Sequence, residues 1–247
     1  HYFGDGFAKA FGITYTDKEN KLVHPFQTSW GSTTRMIGGI IMTHGDDNGL
    51  VLPPAVAPIQ AVIIPVSMHK EGVLEAASAL CDRLKAAGIR VKLDDSDNSP
   101  GWKYSEYEMK GVPLRIEIGP RDIESAQCVM VTRHNREKTF VPLNVLEETA
   151  KERLQAVRDG LYANALANRD RRSYDCHNLD EVKAALAEHG DGFVFGMWCG
   201  DEACEDKIKE ETGVGSRCIP LDQRHIGDTC ICCGKKADKM VCFGKAY

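Results

Sequence analysis

The chain has 247 residues, with 31 basic and 36 acidic side chains, and its formal net charge is −5 at pH 7. This balance excludes a generally basic surface for nucleic acid, so any polyanion has to bind a local patch. The hydrophobic fraction of 43% is typical of an ordinary globular protein. The sequence has no apolar run near the roughly 18 residues of a membrane span, so we predict no membrane contact.

The first region, residues 1–58, is rich in Gly, Thr and His and ends in the breaker sequence LPPA. Residues 29–35 (SWGSTTR) place an indole ring, hydroxyl groups and a guanidinium close together. Arginine forks match phosphate geometry, and aromatic rings line pockets for small apolar ligands. The pattern indicates a phosphate-bearing substrate beside a small hydrophobic one. A Thr-rich turn with an ordinary core tryptophan is the alternative. Residues 37–42 predict the start of a helix.

The middle region, residues 59–165, alternates between strand and helix patterns. The almost wholly apolar run at residues 61–66 predicts a strand covered on both faces. Helical spacing over residues 73–87 ends at Gly88, where a left-handed cap belongs. Further strands are predicted at residues 89–93, 114–118 and 128–132. A capping box of Asn144 and Glu147 opens a long helix that reaches residue 165. The alternation predicts a compact, mostly parallel α/β domain.

The tail, residues 166–247, contains most of the cysteines: eight of the ten lie at residues 176–247. Cys199 and Cys204 enclose four residues, Cys230 and Cys233 enclose two, and 25 residues separate the pairs. Two close pairs of thiolates suit tetrahedral zinc, because each short loop directs two sulfurs toward one point.

Three alternatives accompany the predicted zinc site. Free thiols or a redox pair would also fit a lone Cys230-x-x-Cys233, and Cys232 competes with its neighbours as fourth ligand. Because the spacing is that of metal ligands and not of a disulfide scaffold, we expect a reducing compartment, the cytoplasm.

Three sets of short motifs follow one another along the chain. The first set is residues 28–38 (TSWGSTTRMIG), 44–46 (HGD) and 49–54 (GLVLPP). The second set is residues 99–103 (SPGWK), 110–115 (KGVPLR) and 119–122 (GPRD). The third set is residues 198–200 (WCG), 204–206 (CED) and 243–247 (FGKAY). In this order they resemble the third class II motif, the anticodon-binding domain and the tail of prolyl-tRNA synthetases, in the archaeal and eukaryote-like form with a C-terminal zinc domain.

The resemblance implies a multidomain fold of α/β and α+β parts. Residues 1–58 would be the end of a class II catalytic core with an antiparallel sheet. Residues 59–165 would be a five-stranded, mixed-sheet α/β anticodon-binding domain. Residues 166–247 would be a small α+β zinc-binding domain with the four paired cysteines as ligands of structural Zn²⁺.

The resemblance also assigns roles in the active site. His1 would close the family's proline-binding loop, with Ser29 and Trp30 shaping the small proline pocket. Thr33 and Arg35 would bind ATP. Arg35 would be the catalytic residue, because a guanidinium at that place stabilises the charge that develops on the α-phosphate.

The same resemblance places anticodon recognition on Glu108, Arg115, Arg121 and Asp122. Arginine donates to the two acceptors of guanine, and a carboxylate accepts from guanine's amino and imino groups. Without the resemblance, the alternative for Arg115 is a surface charge at a strand edge. Tyr247, the last residue, would fold back near the active site.

The implied activity is that of a proline–tRNA ligase, which forms prolyl-adenylate from L-proline and ATP with Mg²⁺ and transfers prolyl to tRNA(Pro), as a homodimer. The resemblance puts the second motif and further proline-binding residues ahead of His1. We therefore expect residues 1–247 to be a piece of a longer enzyme and to be inactive alone. Two alternatives from other classes are a stand-alone tRNA-binding module without catalysis and a zinc-stabilised scaffold for partner proteins.

Overall fold

The computed structural model describes residues 1–246, and Tyr247 lies outside the described residues. The first region contains short elements: β1 (Tyr2–Gly4), α1 (Gly6–Ala10), β2 (Tyr15–Thr16), β3 (Leu22–Val23), β4 (Gln27–Thr28) and α2 (Arg35–His44). β1 pairs with β4 and β2 pairs with β3, both antiparallel. These two pairs stand where the resemblance implies an antiparallel catalytic sheet. The helix predicted from residue 37 is present as α2.

The first region leaves large apolar side chains in contact with solvent. The exposed fraction is 73% for Phe11, 69% for Phe26 and 93% for Trp30. On α2, Met36 and Ile37 are 64% and 60% exposed. Apolar surface of this extent is typical of a face that another part of a protein covers.

The middle region forms a five-stranded sheet. Its elements are β5 (Ala61–Pro65), α3 (Val73–Ala86), β6 (Val91–Leu93), α4 (Pro100–Met109), β7 (Leu114–Ile118), α5 (Pro120–Glu124), β8 (Gln127–Thr132) and β9 (Lys138–Pro142). The strand order is β6-β5-β7-β8-β9. β5 runs parallel to β6 and β7, whereas β8 and β9 run antiparallel to their neighbours.

The sheet is therefore mixed and not mostly parallel as the alternating pattern predicts. Residues 119–126 join β7 to β8, and residues 133–137 join β8 to β9. Both connections are shorter than the dozen or so residues that a parallel crossover needs, so these strands must turn back.

Helices cover both faces of this sheet. A 3₁₀ turn (Leu143–Val145) leads into α6 (Leu146–Arg171), which packs with α3 on one face, while α4 packs on the other. All five residues of β5 are buried, as the apolar run predicts. The face of α6 predicted from its spacing is also confirmed, with Leu146, Ala150 and Val157 fully buried.

One predicted helix cap is absent and another is present. Asn144 and Glu147 form no capping box, because α6 begins after Val145, which makes no side-chain cap. Glu147 instead binds Arg83 on α3 through two contacts, from Nε to Oε1 (2.7 Å) and from Nη2 to Oε2 (2.8 Å). After α3, Gly88 has the left-handed φ of +85° that its sequence position predicts.

The tail forms a second sheet. Its elements are β10 (Ser173–Asp175), α7 (Leu179–His189), β11 (Phe193–Trp198), α8 (Glu202–Thr212), β12 (Val214–Cys218) and β13 (Lys239–Lys245). The strand order is β10-β11-β13-β12, with β10 parallel to β11 and the other pairs antiparallel. Within residues 1–246, every helix is too short or too polar to cross a bilayer.

Candidate functional site

The predicted substrate residues of the first region lie in two exposed groups. The backbone nitrogen of His1 donates to the carbonyl oxygen of Ser29 at 2.6 Å, and the Ser29 N–H donates to the His1 carbonyl at 2.9 Å. Thr33 lies just before α2, and its Oγ1 accepts from the backbone N–H of Arg35 at 3.3 Å. Trp30 stands between the two groups in the sequence and is almost fully exposed.

A cavity of about 180 Å³ opens beside β7, β8 and the end of α4. Its charged lining consists of Glu108, Arg115, Arg133, Arg136 and Lys138. Its apolar lining includes Tyr107, Val112 and Val131. The cavity therefore brings together two of the four predicted anticodon residues, Glu108 and Arg115, with three further basic side chains.

Arg115 is held in place on two sides. Residues two apart on a strand share a face, so Arg115 and Glu117 of β7 point the same way. The Nε of Arg115 donates to Oε1 of Glu117 at 3.0 Å. The guanidinium carbon lies 4.1 Å from the centroid of the Tyr104 ring on α4. Burial, together with the neighbouring Glu117 carboxylate, raises the pKa of Tyr104 to about 12.

Glu108 is paired in charge but not in hydrogen bonding. The Nε of Arg136 lies 2.9 Å from Oε1 of Glu108. Among the described residues this buried oxygen nevertheless has no hydrogen bond of acceptable geometry. Arg136 itself lies in the turn between β8 and β9 with a φ of +58°, a strained value for a residue other than glycine. Oε1 of Glu108 is therefore enclosed by protein atoms and meets the Arg136 cation through charge alone.

Arg133 lines the cavity, but its guanidinium is bound to other protein groups. Its two terminal nitrogens donate to both carboxylate oxygens of Asp46, at 2.7 and 2.6 Å, and its Nε donates to the Glu108 carbonyl at 2.9 Å. The Arg133 guanidinium holds the pKa of the Asp46 carboxyl well below its usual range. This side chain ties the first region to the five-stranded sheet.

Arg121 and Asp122 lie outside the cavity, in the first turn of α5. Oδ2 of Asp122 accepts from the backbone N–H of Gly119 at 2.9 Å, which makes it a cap of that helix. Arg121 is exposed next to it. The structure thus places these two predicted residues near the end of β7 but apart from Glu108.

Sequence reasoning did not assign a role to Arg136, Lys138 or Glu117. A signal for the first two is present, because residues 133–138 (RHNREK) form a short basic run between two apolar strands. Glu117 has a weaker signal: it is the acidic residue of β7 (LRIEI), and acidic residues are rarely buried without a partner.

The four predicted zinc ligands meet at one point of the tail. Cys199 follows β11, Cys204 lies on α8, and Cys230 and Cys233 lie in the loop before β13. Their Sγ atoms all lie within 4.8 Å of one another, so the group could hold a metal ion. The Sγ of Cys199 is 3.7 Å from that of Cys204 and 3.8 Å from that of Cys233.

These sulfur separations suit zinc. In a tetrahedral site with Zn–S bonds of about 2.3 Å, neighbouring sulfurs are about 3.8 Å apart. A disulfide would need about 2.0 Å, and all four cysteines are free. A donor set of four thiolates is also the one that structural zinc prefers. The residues therefore fit the expected ion.

The two loops that carry these cysteines have the tight turns that the sequence predicts. Gly200 and Gly234 have φ values of +88° and +71°, which favour glycine. The Gly234 N–H donates to the Cys230 carbonyl at 3.0 Å. The backbone of Lys235 hydrogen-bonds the sulfur of Cys233 and lowers the pKa of that thiol to about 7. Cys232 instead packs against the hydrophobic clusters of the tail.

Comparisons with known proteins agree with this layout. Residues 60–153 match the family model of the anticodon-binding domain, and residues 179–247 match the model described as prolyl-tRNA synthetase, C-terminal. Over all 247 residues the chain is 60% identical to a proline–tRNA ligase of Ruminiclostridium cellulolyticum and 56% identical to one of Lachnoclostridium phytofermentans. The chain belongs to the prolyl-tRNA synthetase family. It spans about half the length of these curated relatives, 51% in both cases.

A solved structure of the same family shares the fold. The crystal structure of prolyl-tRNA synthetase from Cryptosporidium parvum, complexed with L-proline and AMP, superposes with a TM-score of 0.89 at 40% identity. The match covers all of this chain and 52% of that one. The charged cavity falls within the segment that matches the anticodon-binding domain, and all four clustered cysteines fall within the segment that matches the family's C-terminal model.

Proposed function

We propose that this chain acts as part of a proline–tRNA ligase, which activates L-proline with ATP and transfers the prolyl group to tRNA(Pro). The observation that carries this proposal is the 60% identity to a curated proline–tRNA ligase over every residue of the chain. The anticodon-binding match and the charged cavity within it support the tRNA as partner.

The proposed reaction has two steps. The carboxylate of proline attacks the α-phosphate of ATP and pyrophosphate leaves, which gives prolyl-adenylate. A hydroxyl of the terminal adenosine of the tRNA then attacks the activated carbonyl, and AMP leaves. Both steps depend on positioning and on stabilisation of developing charge. Arg35 is the proposed catalytic residue at the α-phosphate, and Thr33 next to it is a proposed ATP contact. Mg²⁺ would neutralise phosphate charge when bound.

His1, Ser29 and Trp30 are the proposed proline-binding residues. The hydrogen bonds between His1 and Ser29 support their placement in one site. The exposed indole of Trp30 supports a pocket that needs a further wall. We propose that the apolar surface of residues 1–58 packs against the half of a full-length ligase that lies outside residues 1–247. The full-length ligase is proposed to be a homodimer.

The cavity beside β7 is the proposed anticodon site. Arg115 would donate to the O6 and N7 atoms of a guanine, and Glu108 would accept from guanine's amino and imino groups. Arg121 and Asp122, at the start of α5, are kept as proposed contacts to the same loop of the tRNA.

Zn²⁺ is the proposed metal of the tail, held by Cys199, Cys204, Cys230 and Cys233. When bound it supplies cross-links between β11, α8 and the loop before β13, and no catalytic step. The proposed domains are residues 1–58, 59–165 and 166–247, as catalytic, anticodon-binding and zinc-binding parts. A cytoplasmic location follows from the proposed substrate, because charged tRNA is consumed by ribosomes.

The proposed anticodon site is tested by binding of an RNA stem-loop that carries the proline anticodon. Changing either guanine to adenine should weaken binding about tenfold or more, since each good arginine contact to a base contributes roughly 1–3 kcal/mol of discrimination. Arg115→Ala should lower affinity for the guanine loop but not for the adenine loop. Lys85→Ala, which removes an exposed charge from α3, is the matched control. Equal affinity of the wild-type chain for all loops would refute the anticodon site.

The alternative is a stand-alone tRNA-binding module without catalysis. It is favoured by the observation that the charged cavity and the cysteine cluster are both formed entirely by residues after 58. A titration with ATP and Mg²⁺ separates the two. Magnesium-dependent ATP binding that Arg35→Ala abolishes supports the ligase. Binding of the stem-loop without any ATP binding supports the module.

A further inference from the structure

A buried carboxylate lies behind the base-facing part of the cavity. Glu117 is on β7, two residues after Arg115, and only 8% of its surface is exposed. Its face of the sheet is covered by α4, whose Tyr104 packs with Val62, Ile64 and their neighbours. A carboxylate in such a place has to be compensated by cations or hydrogen-bond donors.

The two oxygens of Glu117 face different cations of the cavity. Oε1 accepts from Nε of Arg115 at 3.0 Å, and Oε2 lies 3.8 Å from Nζ of Lys138 on β9. Arg115 and Lys138 both line the cavity, whereas Glu117 does not. Glu117 therefore touches the groups that would meet an RNA base without touching the base itself.

These contacts restrict the Arg115 guanidinium strongly. The guanidinium carbon of Arg115 lies 4.1 Å from the centroid of the Tyr104 ring, and Oε1 of Glu117 accepts a hydrogen bond from Nε of Arg115. Within residues 1–246, neither terminal nitrogen of Arg115 has a hydrogen-bond acceptor. A guanidinium held by an aromatic ring and by a hydrogen bond from Nε, with its terminal N–H groups free, suits the two acceptors on the major-groove edge of guanine. Fixing it beforehand also reduces the side-chain entropy lost on binding.

We propose that Glu117 is a positioning residue for anticodon recognition, which orients Arg115 toward the N7 and O6 atoms of a guanine. The inference rests on the proposed function and adds to it a residue that never contacts the tRNA. Without Glu117, Arg115 keeps its charge and its general attraction for RNA. Its guanidinium is then no longer held in the orientation that meets the guanine acceptors.

The test uses the full chain and two synthetic stem-loops with the proline anticodon. One carries guanine and the other carries 7-deazaguanine, which lacks only the N7 acceptor. We expect the wild type to bind the guanine loop about tenfold more tightly. We expect Glu117→Gln to reduce this affinity ratio to below about threefold, as Arg115→Ala should. In the double variant the ratio should fall no further than in Arg115→Ala alone, because both changes remove the same contact. Glu124→Gln, an exposed glutamate on α5, gives the same change in charge and should keep the wild-type ratio.

Each outcome has a distinct meaning. A Glu117→Gln variant that keeps the wild-type ratio overturns the inference, and so does a wild type that binds both loops equally well. A wild type that binds neither loop contradicts the proposed function itself. If Glu117→Gln does not fold, as judged by circular dichroism, Glu117→Asp replaces it. That variant keeps the charge but shortens the side chain by one methylene, which takes the carboxylate away from Nε of Arg115. Retention of the wild-type ratio by this variant would overturn the inference equally.

Discussion

Arg133 and Asp46, 87 positions apart in the sequence, form a two-point ion pair in which both terminal nitrogens of the arginine reach both oxygens of the carboxylate. The arginine side chain is 3% exposed and the aspartate side chain 41%. This pair joins the first region to the five-stranded sheet. Removing it should therefore lower the free energy of unfolding and leave the selectivity for RNA bases unchanged.

Replacing Asp46 by Asn leaves the Arg133 guanidinium buried without its counter-charge. We expect the free energy of unfolding to fall by about 1–2 kcal/mol at low salt, and by less at high salt because Asp46 is partly exposed. Urea denaturation measures the change. Asp47→Asn, one residue further along the same exposed loop, is the control and should differ little from the wild type.

The same pair predicts a pH dependence. Arg133 lowers the pKa of Asp46 in the folded protein, so the folded state binds the proton less readily than the unfolded state. The stabilisation is therefore complete above the ordinary aspartate pKa of about 3.9 and is lost as the pH falls below it. The difference in stability between the wild type and Asp46→Asn should be constant from pH 7 to 5 and should shrink toward pH 3. A difference that grows on acidification would contradict this assignment.

Lys103 is a charged side chain in the interior of the middle region. Its Nζ donates to the Asp94 carbonyl at 2.9 Å and lies 3.4 Å from Oδ1 of Asp94, and the two side chains are 2% and 7% exposed. Lys103→Met keeps the volume but leaves the buried Asp94 carboxylate without its counter-charge. Because Ser96 still donates two hydrogen bonds to that carboxylate, the loss of unfolding free energy should be near the lower end of the range for a broken buried pair, about 3 kcal/mol. Lys85→Met on the exposed side of α3 should cost less than about 0.5 kcal/mol. Equal urea midpoints for the two variants would show that the buried pair is not important.

The cysteine cluster predicts one zinc ion per chain, measured by elemental analysis of purified protein. Cys204→Ser should lower the zinc content well below one, because three sulfurs leave the tetrahedral site open. Cys232→Ser is the matched control and should retain one zinc, since Cys232 packs against apolar residues instead. Strong chelator should unfold the tail of the wild type. A tail that stays folded without metal, or a Cys232 variant that loses it, would count against this site.

The exposed substrate residues predict that a polypeptide of residues 1–247 alone does not form prolyl-adenylate. Trp30 is 93% exposed, so the proposed proline pocket has no complete wall in this chain. Pyrophosphate exchange dependent on proline should be no higher than in Arg35→Ala. A rate near that of a full-length ligase of the family would refute this prediction.

Local patterns predicted part of the fold correctly. The strand at β5, the left-handed Gly88 and the buried face of α6 all follow from local sequence within a few residues. Strand β9 and the helices α4 and α5 had no predicted counterpart. The antiparallel direction of β8 was not predicted by the alternating pattern either, because that pattern does not show which way a strand runs. The capping box at Asn144 failed for a related reason: its glutamate is taken by Arg83, a residue 64 positions away.

The site divides in the same way. Close spacing predicted the four cysteines, and the sulfurs do meet. The resemblance supplied Glu108 and Arg115, because no pattern in the sequence distinguishes a base-reading arginine from a surface one. The sequence signals of Glu117 and Lys138 do not connect them with Arg115. That connection depends on the folded sheet, in which Glu117 contacts Arg115 on β7 and Lys138 on β9.

Helix α6 contains 26 residues and connects the two sheets. At 1.5 Å per residue it is a rod of about 39 Å, anchored by its first turns in the core of the five-stranded sheet. Its middle turns are held as well, because Val157 and Leu161 form a buried cluster with Val51 of the first region. One helix therefore serves as a common strut for all three regions of the chain.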